Sequence, residues 1–317
     1  MLLFTRNNPI SHPMLRQLFD DSVVLEPKRI LNLFYEVRVN ANNEIIVFDD
    51  PIAAFVGFFY YAFKGYRKKY WMLEIYEHQL VINSIYRAAR YLIFKIFGIL
   101  ALIGCDEIFV SSQLRRKYIL EKYNIFVKRK PVKVVYNIPQ IIQKTRLSDE
   151  LYKKIKNFSN KKKVLAVYAG SIQYGRDIGV IVESFSKQTE YGLVLCGRIK
   201  DEYSKSRIFE CESVLYLGEL SYAEVLCVYE SCHVGLLSYA NEPMNVKYSA
   251  PVKMWEYLRA NMVLIGNNNF ALQTEWSEYI SAYYGDGVGV CEAIRAALFD
   301  VREIKNTINI KFINPFE

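Results

Sequence analysis

Short, continuously apolar runs alternate with segments of helical period along most of this chain. In the first half, Leu2–Thr5, Glu44–Phe48, Tyr70–Ile75, Glu107–Val110 and Lys133–Tyr136 read as strands. Between them, Pro51–Lys64, Leu80–Gly104 and Ser112–Lys122 carry helical period or length. The second half repeats the theme. Strands are expected at Val164–Tyr168, Leu193–Cys196, Val214–Leu217, Val234–Leu237 and Met262–Ile265, with helices near Asp177–Lys187, Ser204–Glu210, Ala223–Cys232 and Pro251–Ala260. Strands that are apolar at every position, each followed by a helix, point to parallel sheets covered on both faces. The polar stretch Gln140–Lys163 separates the halves, and Ser148 within it is placed to cap a short helix, Ser148–Phe158. The expected organisation is a first α/β domain over 1–140, a linker over 141–163, a second α/β domain over 164–300, and a segment 301–317 packing back on the first domain. In open α/β sheets ligands bind beyond the carboxyl ends of the strands. That rule selects the loops after Tyr168, Cys196, Leu217 and Leu237, and after Phe48 and Ile75.

Composition narrows the class. The 317 residues are 52% hydrophobic, enough for about two separately cored domains. Cys105, Cys196, Cys211, Cys227, Cys232 and Cys291 show no metal-ligand spacing, and Cys196, Cys227 and Cys291 lie in apolar segments as small core residues would. A reducing, cytoplasmic setting is expected. His12, His78 and His233 are far apart, so no zinc site is expected. The start of the chain does not read as a signal peptide, and the closest approach to a membrane span, Tyr91–Cys105, is interrupted by Lys95. Charge is uneven: residues 1–140 hold 20 Lys and Arg against 12 Asp and Glu, whereas 141–317 hold 21 of each. A basic half suits an anionic partner such as phospholipid, nucleic acid or a phosphorylated substrate; ordinary solubilising charge is the plainer reading. No RRM, KH or helix-turn-helix signature supports nucleic acid, and no GxGxxG turn supports a dinucleotide oxidoreductase.

Two stretches carry candidate chemistry. After the strand VLAVYA, Gly170, Ser171 and Gly175 make a small-residue turn into a helix near Arg176. Small residues let backbone N–H groups approach a phosphate, and Arg176 can grip a diphosphate bidentately; a plain strand–turn–helix is the alternative. Further on, Asn245–Gly266 reads NVKYSAPVKMWEYLRANMVLIG. Pro251 suits a first helical position, and Lys253 and Glu256 share a helical face. The pair is either an anion-and-hydroxyl site or a capped surface helix with an ordinary ion pair.

In order, YAGSIQYGRDIGVIVESF, LVLCGRI, VLYLGEL, HVGLLSY and YSAPVKMWEYLRANMVLIG resemble the donor-binding domain of the GT-B glycosyltransferases, in the family 4 type of the glycogen synthase and mannosyltransferase-like superfamily. The likeness covers about Val164–Asn268 and extends more loosely to IIVFDDPIAA, WMLEIYEH, CDEIFVSSQLRRKYI and VKVVYNIP, which are similar to the acceptor domain. It implies two Rossmann-like domains facing one another across a cleft. It also implies transfer of a sugar from a UDP- or GDP-linked donor, without a metal and with retention, to a lipid-linked or growing saccharide, as in bacterial surface-polysaccharide assembly. Gly170 and Ser171 would border the donor diphosphate with Arg176 as its cation, and Gly197 and Arg198 would lie near the nucleotide. Gly218, Glu219 and Leu220 would pass the base, Glu256 would bind the ribose, and Lys253, with Pro251 setting the helix start, would lie by the phosphates.

Many relatives carry two glutamates separated by seven residues; Glu256 matches the second, but the first falls on Tyr248. The carboxylate expected near the donor sugar is therefore missing, which keeps open a second reading: an inactive sugar-nucleotide-binding subunit of a transferase complex. In the first half, Asp50 either caps a helix begun by Pro51 or, with Asp49, approaches the acceptor hydroxyl. Glu74, Glu77 and His78 occupy the place of a cleft-facing acidic or His residue in relatives, and His78 is either structural or a proton-transfer group. Tyr86–Leu102, with Arg87, Arg90 and Lys95 among aromatics, is either a membrane-interface helix or a buried helix. Lys64–Lys69 and Arg115–Lys117 would face anionic lipid, placing the protein peripherally on the inner face of the cell membrane.

Overall fold

Six parallel strands form the first sheet of the computed structural model, which describes residues 2–4, 23–25, 45–48, 54, 58, 67–71, 85–139 and 146–304 except 243 and 286. They are β1 (Leu2–Phe4), β2 (Val23–Leu25), β3 (Ile45–Phe48), β4 (Arg67–Trp71), β5 (Glu107–Val110) and β6 (Val132–Val134). Their order is β2-β1-β3-β4-β5-β6, and every pairing is parallel. Among the described residues it is accompanied by the helices α1 (Ile85–Gly104), α2 (Gln113–Lys122) and α3 (Asn124–Val127). Ser112 caps α2 by accepting the Arg115 backbone N–H at 3.1 Å. Tyr70, Ala101, Leu102, Ile108, Val110, Ile119 and Val127 fill the core between sheet and helices.

The parallel α/β class expected from the sequence is what the chain adopts. Strand β5 lies at the expected residues, but β4 begins at Arg67 rather than Tyr70 because its register is set by β3, from Ile45↔Arg67 to Phe48↔Tyr70. Arg67, Lys68 and Lys69 are thus part of a strand paired on both sides, by β3 and β5. Arg115 is also corrected: only 6% exposed, it is part of the interior, while Arg116 and Lys117 remain on the surface.

The second sheet comprises β7 (Val164–Ala169), β8 (Tyr191–Cys196), β9 (Val214–Tyr216), β10 (Val234–Leu237), β11 (Val263–Asn267) and β12 (Ala282–Tyr284), again all parallel. Its helices are α4 (Asp149–Ser159), α5 (Ile178–Ser186), α6 (Glu202–Phe209), α7 (Tyr222–Tyr229), α8 (Met244–Lys247), α9 (Val252–Arg259), α10 (Phe270–Thr274) and α11 (Val290–Ile304), of which α8 belongs with the first unit. Local chemistry sets their starts. Ser148 and Asp201 each accept a backbone N–H from three residues on, and Ser221 with Glu224 closes a capping box. The helix foreseen inside the polar joint is therefore α4, begun by Ser148. The elements β2, β12, α3, α8, α10 and α11 were not anticipated, although α11 is long and amphipathic; residues 305–317 lie outside the described residues.

The strand order β12-β11-β10-β7-β8-β9 means that the chain builds outward from β7 through β8 to β9, then returns to lay β10 on the other side of β7. The direction of winding reverses between β7 and β10.

The chain divides into two compact units, and the division is not contiguous. Residues Met1–Ile141 form the first together with Asn241–Val252; Ile142–Ala240 and Lys253–Glu317 form the second.

Candidate functional site

Such a reversal leaves a crevice beyond the carboxyl ends of the two strands, because their outgoing loops diverge to opposite faces of the sheet. Here the loops after β7 and β10 are held to one another. Arg176 Nη1 donates to the Ser238 carbonyl at 3.1 Å, and its guanidinium lies 4.7 Å from the centre of the Tyr239 ring. In return Ser238 Oγ donates to the Arg176 carbonyl at 2.7 Å. The next residue, Asp177, takes a left-handed backbone (φ 52°), a conformation costing about 1–3 kcal/mol outside glycine. It starts α5 without a side-chain cap. Its carboxylate instead accepts from Asn267 Nδ2 at 3.1 Å, and Asn267 Oδ1 accepts the Tyr239 N–H at 3.1 Å. Loops from β7, β10 and β11 are thereby tied around one arginine. Burial pushes the Tyr239 phenol up to about 12, with Arg176 opposing the shift, so the ring under the guanidinium stays neutral.

Three glycines close successive strand ends. The Gly170 N–H donates to the Cys196 carbonyl at 2.9 Å, and the Gly197 N–H to that of Gly218 at 2.8 Å. At Gly197 no other residue fits: φ is 136°, and a Cβ would stand 2.0 Å from the Gly170 carbonyl oxygen. The lacing draws the loops after β7, β8 and β9 into one rim, and the Tyr216 hydroxyl secures it by donating to the Gly197 carbonyl at 3.0 Å. Beyond β8 and β9 the rim opens into a cavity of ≈ 610 Å³ lined by Arg198, Lys200, Lys205, Phe209, Tyr216 and Glu219.

The start of α9 supplies the second cation. Lys253 Nζ lies 2.8 Å from Glu256 Oε2 and 3.2 Å from the Tyr229 hydroxyl, which itself donates to Oε2 at 2.9 Å. Glu256 is 3% exposed, so this carboxylate is desolvated and its charge is met by an ammonium and a phenol. Burial holds the Tyr229 phenol well above its ordinary range, with Tyr257 and Glu256 adding to the shift. Tyr222, whose phenol is likewise raised by burial and then by Glu256, approaches the same carboxylate. Burial pushes the Cys196 thiol at the end of β8 up to about 12, with the charge of Lys253 opposing the shift. Tyr257, fully buried, accepts the Ala169 N–H at 3.1 Å and fastens α9 to the end of β7.

The second unit therefore gathers Gly170, Ser171, Arg176, Gly197, Arg198, Gly218, Glu219, Leu220, Lys253 and Glu256 at the carboxyl ends of its strands and the head of α9. Tyr248 and Pro251 fall in the segment grouped with the first unit. Asp49, Asp50, Glu74, Glu77 and His78 lie outside the described residues. Asp177, Tyr222, Tyr229, Ser238, Tyr239 and Asn267 were not foreseen. Their roles depend on partners 24 to 90 residues away, which no local pattern records. Of the cysteines expected in the core, Cys196 and Cys291 are buried, whereas Cys227 is only half-buried on α7. Among the described residues, no group of three or more His, Cys, Asp or Glu could hold a metal ion, and no helix is long and apolar enough to cross a membrane.

No protein-family profile matches the chain, and no curated protein does. Solved structures do. HepE (Alr3699) of Anabaena, in complex with UDP-glucose, superposes with a TM-score of 0.61 at 12% identity, over 96% of this chain and 90% of its own. A glycosyltransferase from Rickettsia africae gives 0.59 at 14% identity, over 96% and 80%. A candidate UDP-N-acetylglucosamine 2-epimerase from Listeria monocytogenes gives 0.59 at 11% identity, over 96% and 88%. The fold is thus that of the GT-B glycosyltransferases, which the epimerase candidate shares.

Proposed function

We propose that this chain is a nucleotide-sugar-dependent glycosyltransferase whose donor occupies the strand reversal of the second unit. The observation that carries the reading is Arg176, held by Ser238 and Tyr239 where the loops of β7 and β10 part. A guanidinium presented there, beside the Gly170 turn, suits a diphosphate. Lys253, at the head of α9, supplies the second positive charge, and together the two stabilise the nucleoside diphosphate as it leaves. Gly218, Glu219 and Leu220 pass the base, using backbone groups, with Gly197 and Arg198 beside the nucleotide. Glu256 takes the ribose hydroxyls by exchanging its bond from Lys253 for bonds from the sugar. HepE, which binds UDP-glucose, makes a uridine donor the first to try, with GDP-sugars next. Retention, chemistry without a metal, and a lipid-linked or growing saccharide acceptor belong to the same reading, supported by motif resemblance. So does acceptor activation by Asp50, Glu77 or His78. Six free thiols accord with a cytoplasmic setting.

One observation favours donor binding without turnover. Tyr248, standing where relatives carry a glutamate, has its ring 5.4 Å from that of Tyr118 in the first unit, so no carboxylate stands at that position. A screen of UDP, GDP and their sugars by thermal shift and by product release separates the readings. Stabilisation with sugar transfer to a membrane extract supports the transferase. Stabilisation without turnover supports the binding subunit. Conversion of UDP-N-acetylglucosamine to its 2-epimer supports the epimerase chemistry found on this fold. No response to any nucleotide overturns the donor site.

A further inference from the structure

The outward face of α1 is apolar. Leu92, Ile96 and Ile103 fall within an arc of about 40° at 100° per residue, and they are 56%, 48% and 49% exposed. Ile93 adds to the stripe, while Gly98, Ala101 and Leu102 on the other side are buried. A helix lying on a soluble domain normally shows the reverse pattern, with its polar face outward. Beside it, α3 presents Ile125, 91% exposed, and Phe126. The two helices pack on one another, and Lys130 Nζ ties the turn after α3 to the end of α1 by donating to the carbonyls of Leu102, at 2.7 Å, and Ile103. Positive charge predominates beside the patch. Residues 106–133 contain eight Lys and Arg and three acidic residues, Asp106, Glu107 and Glu121; Arg115 is buried and Lys133 pairs with Glu107. Among them Lys122, Lys128 and Arg129 are exposed on either side of Ile125.

We infer that α1 and α3 form a docking surface for an anionic phospholipid bilayer, with the Leu92–Ile103 stripe and Ile125 entering the headgroup–acyl boundary and the basic residues beside α3 meeting lipid phosphates. Apolar residues flanked by cations are the pattern that binds such an interface. A second copy of the chain fits less well, because two like-charged basic rims would face each other. The inference rests on the first unit alone and stands whether or not the donor reading holds.

Flotation of the whole protein with vesicles tests it. Binding is expected to phosphatidylglycerol–phosphatidylcholine vesicles at low salt, weaker at high salt, and absent with phosphatidylcholine alone. The double variant Ile96→Glu/Ile125→Glu and the charge reversal Lys128→Glu/Arg129→Glu should each lower the bound fraction about tenfold. All four side chains lie on the surface, so unfolding temperature and nucleotide response, measured on the same preparations, should not change. No flotation with anionic vesicles at low salt overturns the inference, as does flotation that both variants retain. Concentration-dependent dimerisation abolished by Ile96→Glu/Ile125→Glu also overturns it, by making the patch a self-interface.

Discussion

Arg115 of α2 donates its Nε–H to the carbonyl of Tyr248, 133 residues later, at 2.9 Å. Its Nη2 adds the carbonyl of Asn245 at 3.1 Å and the Asn245 side-chain oxygen at 2.8 Å. Asn137 Nδ2 donates to the Ala250 carbonyl at 3.2 Å. These bonds explain why Asn241–Val252 belongs to the first unit: the buried guanidinium needs acceptors, and that segment supplies two carbonyls and an amide oxygen. Removing it in Arg115→Ala should cost about 2–3 kcal/mol. Urea unfolding of the variant against the natural chain measures this, and a loss under about 0.5 kcal/mol would show the clamp to be dispensable.

Glu256 has two separable contributions. Truncation to Ala leaves Lys253 and the Tyr229 hydroxyl without their shared partner and should cost about 2–4 kcal/mol in stability, whatever the carboxylate does for a ligand. Glu256→Gln keeps the shape and much of the hydrogen bonding. If the carboxylate binds ribose, the Gln variant should raise the donor KM about tenfold or more while remaining folded at assay temperature. Donor kinetics unchanged in folded Glu256→Gln would leave the carboxylate as a structural anchor for α9.

Arg176→Ala removes one hydrogen bond to the Ser238 carbonyl and the contact with Tyr239, and should cost about 1–2 kcal/mol in stability. Its effect should appear in nucleoside diphosphate affinity, lowered about ten- to a hundredfold, with free nucleoside affinity unaltered. Calorimetric titration with both ligands distinguishes a lost phosphate contact from general damage. Asp177→Ala, which removes the Asn267 bond but leaves the left-handed backbone, should weaken the same affinity through Arg176 while conserving selectivity for the diphosphate.

Gly197→Ala forces a methyl group onto the Gly170 carbonyl in a backbone conformation that favours glycine. The substitution should destabilise the second unit by about 3 kcal/mol or more and abolish nucleotide response. A variant that melts with the natural chain would show that the laced rim yields easily.

Alkaline pH should unfold this protein early. Tyr168, Tyr229, Tyr239, Tyr257 and Tyr284 all have phenols raised above the ordinary value of 10.0, with burial the largest cause in each. Unfolded tyrosines release protons near pH 10 while the folded ones keep theirs, so the unfolded state binds fewer protons above that point and stability falls as pH rises. Below about pH 9 these groups contribute no slope. Urea midpoints from pH 8 to 11 measure the effect, and a flat profile would show that the phenols reach water.

Much of the second unit was legible because its strands are apolar throughout and its helix starts announce themselves chemically: Ser148, Asp201 and the Ser221–Glu224 box need only residues three positions apart. The glycines ending β7, β8 and β9 were likewise visible as small residues after strands. Arg67–Trp71 was misplaced for the converse reason. Three basic residues conceal a strand whose register comes from β3, and pairing across a sheet is not a local property.

By itself, then, the order of residues determined the α/β class, most of the strands and the set of loops at their carboxyl ends, since hydrophobic period and capping act within one turn or one pleat. Tertiary structure decided what those loops do. It placed β10 beside β7, brought Ser238 and Asn267 to Arg176 and Asp177, and buried Glu256 against Tyr229. It also drew Tyr248 away to Arg115. Each of these is a hydrogen bond between residues far apart in sequence, and its existence depends on the path of the backbone between them rather than on either residue's neighbours.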